Sequence, residues 1–436
     1  MRSRGLVRAH PHHSSGRKQQ TVEPTHEARH TTHPLYRQKR ARYVGGGGRA
    51  GLMAYHQAFV RLAEEHFECQ YIARQAHRMN GHARDLAAPL TVVHVADGDS
   101  RLGAMKMILD GGAGREMLEA ERSRPDRVDL VTVATPNSTH YEIAKAFLDS
   151  GFNVLCEKPM TVTEAEAEDL VLTARKADRI CAVNYGYTGY ALVRHMRAMI
   201  SRGDLGQIRL VVVEFAHGHH ANMADADNPR VRWRYDPAQA GISAQFADCG
   251  IHALHLASFV TGQQVIRLSS DFASCLPGRV LEDDAMVNFR LDGGTVGRLW
   301  TSSVAIGRQH GLTIQVFGET GGLRWEQEHP NQLRYMPLGQ RLQVIERGEA
   351  ELSPEADLAN RVTIGHAEGM PLAFANIYRD LSESLLARRS GRTADPAMTL
   401  YPTTEDGLRS VAAIHAAVAS AKAEGAWTDA RPRLFR

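Results

Sequence analysis

Between residues 115 and 184, apolar runs of strand length alternate with helical patterns, and the connections between them are short. That alternation constrains the fold more than any other feature. A chain that returns through a helix after every strand builds a parallel, doubly wound sheet with helices on its faces. The pattern predicts helices over 115–122, 141–150 and 164–177, and strands over 128–134, 154–156 and 180–184. Gly151 ends the second helix, and Thr163 with Glu166 has the spacing of a capping box at the start of the third. Two strand ends carry polar turns: Thr135-Pro136-Asn137 and Glu157-Lys158-Pro159. Open α/β sheets bind their ligands at the carboxyl ends of strands, so Lys158 is a candidate for chemistry. A surface lysine at a strand end is the alternative reading of that residue taken alone.

Upstream, Gly46, Gly48 and Gly51 form a G-x-G-x-x-G, followed by Leu52, Tyr55, Phe59 and Leu62 spaced for one helix face. Such glycines let the backbone approach a pyrophosphate at a helix N-terminus. By itself the motif is weak, and only Tyr43 and Val44 stand in for a preceding strand. Residues 67–73 read as a second strand, but Arg74 and Gln75 occupy the place of a ribose-binding carboxylate. From 74 to 114 the periodicity lapses, as an insertion or a local change of reading frame in the source sequence would produce. Residues 1–40 are basic, hold six histidines and few apolar residues, and are expected to form a disordered extension.

After Tyr187 the character changes. A helix near 189–202 leads to strand-like runs at 208–216, 265–273, 285–291, 295–304 and 312–317. Turns such as Asp292-Gly293-Gly294 and Gly321-Gly322 separate several of them, which predicts a large, mainly antiparallel sheet. One helix at 244–261 interrupts it, and two more, near 370–388 and 404–423, close the chain. The expected organisation is an α/β Rossmann domain over 41–187 and an α+β domain with a large open sheet over 188–436.

The 436 residues can bury substantial cores, and the net charge of +3 calls for neither nucleic acid nor an anionic membrane. No apolar run is long enough to span a bilayer. Five scattered cysteines without metal spacing favour a reducing compartment, and a cytoplasmic location is expected.

In the interrupting helix, Asp248 and His252 are four residues apart and would share an α-helical face. A carboxylate beside an imidazole orients it and raises its basicity, which suits a general base. Local caps and hydrogen bonds would account for the same pair. His255 lies near that face. His217, His219 and His220 follow a strand, with Trp233 and Arg234 soon after, and Tyr185 and Tyr187 follow the last strand of the first sheet. His217 and His219 with His255 have a ligating residue type, but no acidic or cysteine set accompanies them. Sugar-binding polar groups are favoured, and no metal is expected. His366 and Glu368 either contact a substrate or simply precede a helix.

The succession Thr135-Pro136-Asn137 with His140, Glu157-Lys158-Pro159 and Asp248-Cys249-Gly250-Ile251-His252 resembles the Gfo/Idh/MocA oxidoreductases from about Arg115 to the C-terminus. The resemblance implies NAD or NADP as cofactor, lined by Gly46, Gly48, Gly51, Thr135, Pro136, Asn137, His140, Glu157 and Lys158. It implies Lys158 at the reacting oxygen, His252 as acid/base and Asp248 as its partner or a substrate ligand. Tyr185, Tyr187, His217, Trp233 and His255 would edge a sugar, inositol or polyol, and the protein would be a homodimer or homotetramer. A glycoside hydrolase with tightly held NAD and a dinucleotide-binding sensor are the alternatives. The stretch upstream of Arg115 departs from the family pattern, which leaves the choice between NAD and NADP open.

Overall fold

The computed structural model describes residues 105–108, 115, 118–119, 121–123, 125, 127–222 and 228–436. The His-rich extension, Gly46, Gly48 and Gly51, the 67–73 run, Arg74 and most of 74–114 lie outside them. Among the described residues one sheet has four parallel strands in sequential order. They are β1 (Met105–Ile108), β2 (Leu130–Val133), β3 (Asn153–Cys156) and β4 (Cys181–Val183). β1 lies inside the stretch whose pattern lapses, so a strand exists where the periodicity shows none. β2 and β4 are buried along their whole length, the signature of a sheet covered on both faces.

Helices α1 (His140–Asp149) and α2 (Glu164–Ala177) return the chain between these strands. α2 begins with the expected capping box. Glu166 N donates to Thr163 Oγ1 at 3.2 Å, and Thr163 N donates to Glu166 Oε2 at 2.9 Å. Helix α3 (Ala191–Arg202) follows and ends at Gly203, whose φ of 87° suits a residue without Cβ.

The second sheet has nine strands: β5 (Ile208–Ala216), β6 (Val265–Ala273), β7 (Asp284–Leu291), β8 (Val296–Ser302), β9 (Leu312–Gly318), β10 (Gly321–Glu326), β11 (Gln332–Pro337), β12 (Gln343–Glu346) and β13 (Thr428–Asp429). Their order is β12-β11-β10-β9-β5-β8-β7-β6-β13. β5 and β8 pair in parallel, and the other neighbours are antiparallel. Gly321 and Gly322, expected in a turn, lie within β10. The chain reverses one step earlier, at Glu319 and Thr320, and both glycines stay extended in the ladder. A Cβ on Gly321 would stand 3.1 Å from Met336 O, so close approach of β11 accounts for the missing side chain.

Side chains of β7 and β9 alternate between buried and accessible. The buried face packs on helix α4 (Ile251–Thr261), which a π-helical turn (Phe246–Gly250) precedes. The expected helix over 244–261 is therefore two geometries in series. Helix α5 (Met370–Ser390) is tied to α3 by the fully buried pair Arg194–Asp380, 2.8 Å apart. Helix α6 (Thr404–Lys422) bonds both sheets. Thr404 Oγ1 donates to Cys181 O at 2.5 Å beside β4, and Ser270 N in β6 donates to Ser420 Oγ at 2.9 Å. That double attachment ties β4 of the first sheet to β6 of the second.

Gly189 ends the short turn Gly186–Gly189 after β4, and its carbonyl accepts Asn376 Nδ2 at 2.9 Å. A Cβ there would stand 1.9 Å from Ala373 O. Gly189→Ala should therefore push α5 from the turn and lower stability by about 1–3 kcal/mol, read as a lower midpoint in urea.

Candidate active site

Lys158 leaves the carboxyl end of β3, and Pro159, joined to it by a cis peptide bond, turns the chain away. The lysine crosses to the π turn. Its Nζ donates to Asp248 O at 2.7 Å and forms an ion pair with Asp248 Oδ1. Arg234 Nε donates to the other carboxylate oxygen, Oδ2, at 3.0 Å. The Arg234 guanidinium lies 4.6 Å from the Trp233 ring centroid, a cation–π stack. Burial would raise the Asp248 carboxyl, but Lys158 and Arg234 outweigh it and hold the group well below the usual carboxylate range.

The expected Asp248–His252 hydrogen bond is therefore replaced by Asp248–Lys158 and Asp248–Arg234. The four-residue spacing presumes α-helical geometry, whereas residues 246–250 form a wider π turn, a distortion common at functional sites. His252 instead stands between aromatic edges. Tyr187 and Tyr185 meet it edge-on, with ring centroids at 4.9 and 5.5 Å. Its Nδ1 is buried without a hydrogen-bond partner. Burial, and then the neighbouring Lys158 ammonium, push the imidazole well below its ordinary value, so it is neutral at pH 7.

Residues expected at the cofactor separate into two groups. Pro136 is exposed, and Asn137, Glu157 and Lys158 are half-buried along the carboxyl edge of β2 and β3. Asn137 Nδ2 donates to Ala240 O at 3.3 Å. Burial raises the Glu157 carboxyl against the opposing Asn184 hydrogen bond of 2.7 Å. His140, by contrast, is fully buried. Its Nε2 lies 2.7 Å from Thr135 O and its Nδ1 2.9 Å from Pro159 O. It pins the two strand-end turns together from behind and does not line the cleft. The edge thus offers an exposed ring, an amide, a lysine and a carboxyl group that burial raises against its hydrogen bond from Asn184. Such donors and acceptors fit the carboxamide of a nicotinamide.

The residues expected at the substrate divide the same way. Tyr185 and His255 are buried, stacked 4.1 Å apart behind His252. Tyr187 is also buried, and its OH lies 2.7 Å from His310 Nε2. His217 stacks on His219 at 4.5 Å, with its Nε2 3.5 Å from Cys249 Sγ. Burial, with His219 and His220 beside it, pushes His217 down to about 3. His220 Nδ1 meets Tyr235 OH at 3.2 Å, and burial, then Arg234, take it to about 4. His255 does not join His217 and His219. Among the described residues no three His, Cys, Asp or Glu side chains are grouped to hold a metal ion. His366 is exposed and Glu368 buried, its carboxylate accepting Arg361 N at 2.6 Å just before α5. Arg234, His310 and Asn184 belong to the site without a motif to announce them. Only the order Trp233-Arg234 after a histidine cluster pointed towards one of the three.

Residues 44–185 match the family described as "Oxidoreductase family, NAD-binding Rossmann fold", and 193–324 match "GFO/IDH/MocA C-terminal domain". The chain belongs to the Gfo/Idh/MocA family. It is 33% identical over 316 residues to the uncharacterized oxidoreductase YfiI of Bacillus subtilis, covering 72% of this chain and 80% of that protein. An inositol dehydrogenase homolog from Azotobacter vinelandii, solved with NAD+, superposes with a TM-score of 0.69 at 39% identity, covering 72% of this chain and 82% of that one. The homolog solved with NADH and myo-inositol gives 0.66 at 38% identity with the same coverage. The protein is thus an oxidoreductase of the dehydrogenase and reductase class with a Rossmann domain that binds NAD or NADP.

Histidines held neutral by burial make the fold sensitive to acid. His217 and His220 sit below 6.5 when folded, so their contribution is complete above about pH 6.5 and is lost as pH falls towards their folded values of about 3 and 4. Stability should fall from pH 6.5 to pH 4, and His217→Gln should lower the proton uptake on unfolding in that window by about one, measured by urea melts across pH.

Proposed function

We propose that the protein transfers a hydride between nicotinamide and a hydroxyl or carbonyl of a sugar, inositol or related polyol. The observation that carries this reading is the charged lysine at the sheet edge, bonded to Asp248 beside a neutral, half-buried imidazole. An ammonium has three donors. Two of the Lys158 donors go to Asp248, and the third is available to the reacting oxygen. In the oxidative direction neutral His252 takes the hydroxyl proton while Lys158 stabilises the negative charge developing on oxygen. In reverse, protonated His252 returns it. Asp248 keeps the ammonium aimed.

Thr135, Pro136, Asn137 and Glu157 would hold the nicotinamide end of the cofactor, and Gly46, Gly48 and Gly51 its phosphates. When bound, the nicotinamide accepts or donates the hydride. The imidazoles of His217, stacked on His219, and of His310, beside Tyr187, offer donors and acceptors that suit vicinal hydroxyls. The myo-inositol bound to the Azotobacter homolog supports a polyol.

We place the protein in the cytoplasm as a homo-oligomer. Cys156, Cys181 and Cys249 are free and buried and Cys275 is free and exposed, which suits a reducing compartment. The outer face of β9–β12 exposes Phe317, Met336, Leu338 and Val344, an apolar patch of the kind that symmetric subunits cover. No helix among the described residues is long and apolar enough to cross a membrane.

Titration with NAD and NADP by fluorescence, followed by a screen of polyols and sugars at the absorbance of NADH, tests the activity. Lys158→Ala should lower kcat by about 100-fold or more while cofactor affinity changes far less. Equal turnover by wild type and variant on the best substrate would remove Lys158 from the mechanism.

A further inference from the structure

Arg234 is unexplained by any motif, yet it takes one of the two carboxylate oxygens of Asp248. It stands in a short helical segment, Pro229–Arg232 continuing into Trp233–Tyr235, that is anchored on both sides of the arginine. The indole of Trp233 supports the guanidinium from one side. On the other, Tyr235 OH lies 2.7 Å from Ser303 Oγ, Arg279 lies 4.1 Å over the Tyr235 ring, and Asp236 caps the next turn through Ala238 N at 3.0 Å. A long side chain delivered from so fixed a segment has little freedom to leave Asp248. Each carboxylate oxygen therefore meets a different cation.

That division matters because of what Asp248 would otherwise do. Among the described residues facing His252 it is the one anion, and a carboxylate with a free oxygen would accept a hydrogen bond from the imidazole or from a substrate hydroxyl. The groups facing His252 are Lys158 from the end of β3, Asp248 from the π turn, His255 from its own helix, His310 from the approach to β9, and the phenols of Tyr185 and Tyr187. Only Lys158 and Asp248 among them carry charge at neutral pH. Arg234 adds a second cation to what would otherwise be a bare Lys158–Asp248 pair where alkoxide charge develops.

We propose that Arg234 is a positioning residue: by holding Asp248 Oδ2 it keeps the carboxylate on Lys158 and off His252, so that the lysine carries the charge and the histidine is left to move the proton. The proposal rests on the reading of Lys158 and His252 given above.

The test uses the full chain with Arg234→Gln and Arg234→Met, which remove the charge, and Arg234→Lys, which keeps it. The ionisation of His252 is followed by NMR of 15N-histidine-labelled protein between pH 5 and 9, with its signals assigned by their loss in His252→Asn. The remaining histidine signals and circular dichroism show which neutral variant is folded. His252 should titrate about one pH unit higher in the neutral variants than in wild type, and Arg234→Lys should stay near wild type. Superimposable His252 curves in wild type and a folded neutral variant overturn the proposal. With NAD+ and myo-inositol, the neutral variants should lose about 10- to 100-fold in kcat with little change in KM for NAD+, and the acidic limb of the rate profile should move up in pH. Loss of thermal stability with an unmoved limb would mark Arg234 as structural only and also overturns it. A shifted His252 curve in a protein that turns over no polyol would uphold the positioning role and sink the assigned reaction. An unshifted curve with wild-type turnover does the reverse.

Discussion

A single carboxylate shared between two cations organises this molecule. Asp248 binds Lys158 from the first sheet and Arg234 from the second-sheet side of the chain. Withdrawing three charged groups from water costs several kcal/mol per ion unless geometry and hydrogen bonds restore what hydration supplied. Here each carboxylate oxygen has its own donor, and the backbone carbonyl of Asp248 takes a further lysine proton. The arrangement exists only if the carboxyl edge of β3, the π turn and the Trp233–Tyr235 segment arrive together. Much of the remaining structure can be understood as what brings them there.

Helix α6 is the clearest case, since it bonds β4 at one end and β6 near the other. His140 does the same on a smaller scale, joining the turn after β2 to the turn after β3 through two backbone carbonyls. Behind the site, Tyr185, Tyr187 and His255 give His252 apolar surroundings. Burial then favours the neutral imidazole, and the lysine charge adds to that preference. The same burial that suits proton transfer at neutral pH leaves the cleft exposed to acid, because neighbouring histidines must bind protons on unfolding.

Much of the first sheet was legible because its strands are buried on both faces and its helices carry ordinary signals. Thr163 and Glu166 announced the start of α2, and Gly151 the end of α1. The second sheet was legible as far as β9, where burial alternates cleanly. It was not legible over β10 to β12. There Gly321 and Gly322 mimic a turn, and exposed apolar residues such as Met336, Leu338 and Val344 blur the period. The strand β1 was hidden by a surrounding stretch without pattern. In the site, Lys158 and His252 stood out from their motifs, while Arg234 and His310 did not. Arg234 stands in a short helical segment and His310 in a loop, and an isolated arginine or histidine there has no periodicity to read.

The order of residues alone determined that a lysine ends a buried strand, that a helix with an aspartate and a histidine follows much later, and that both belong to an oxidoreductase fold. The first two are local facts of spacing and capping, and the last rests on the resemblance of the motifs to a known family. Which groups meet was decided by tertiary structure. Spacing paired Asp248 with His252, whereas the π turn and the anchored Arg234 gave Asp248 to Lys158. Sequence spacing fixes the face a residue occupies only while the backbone stays regular, and a carboxylate goes to the strongest donors that packing brings within reach.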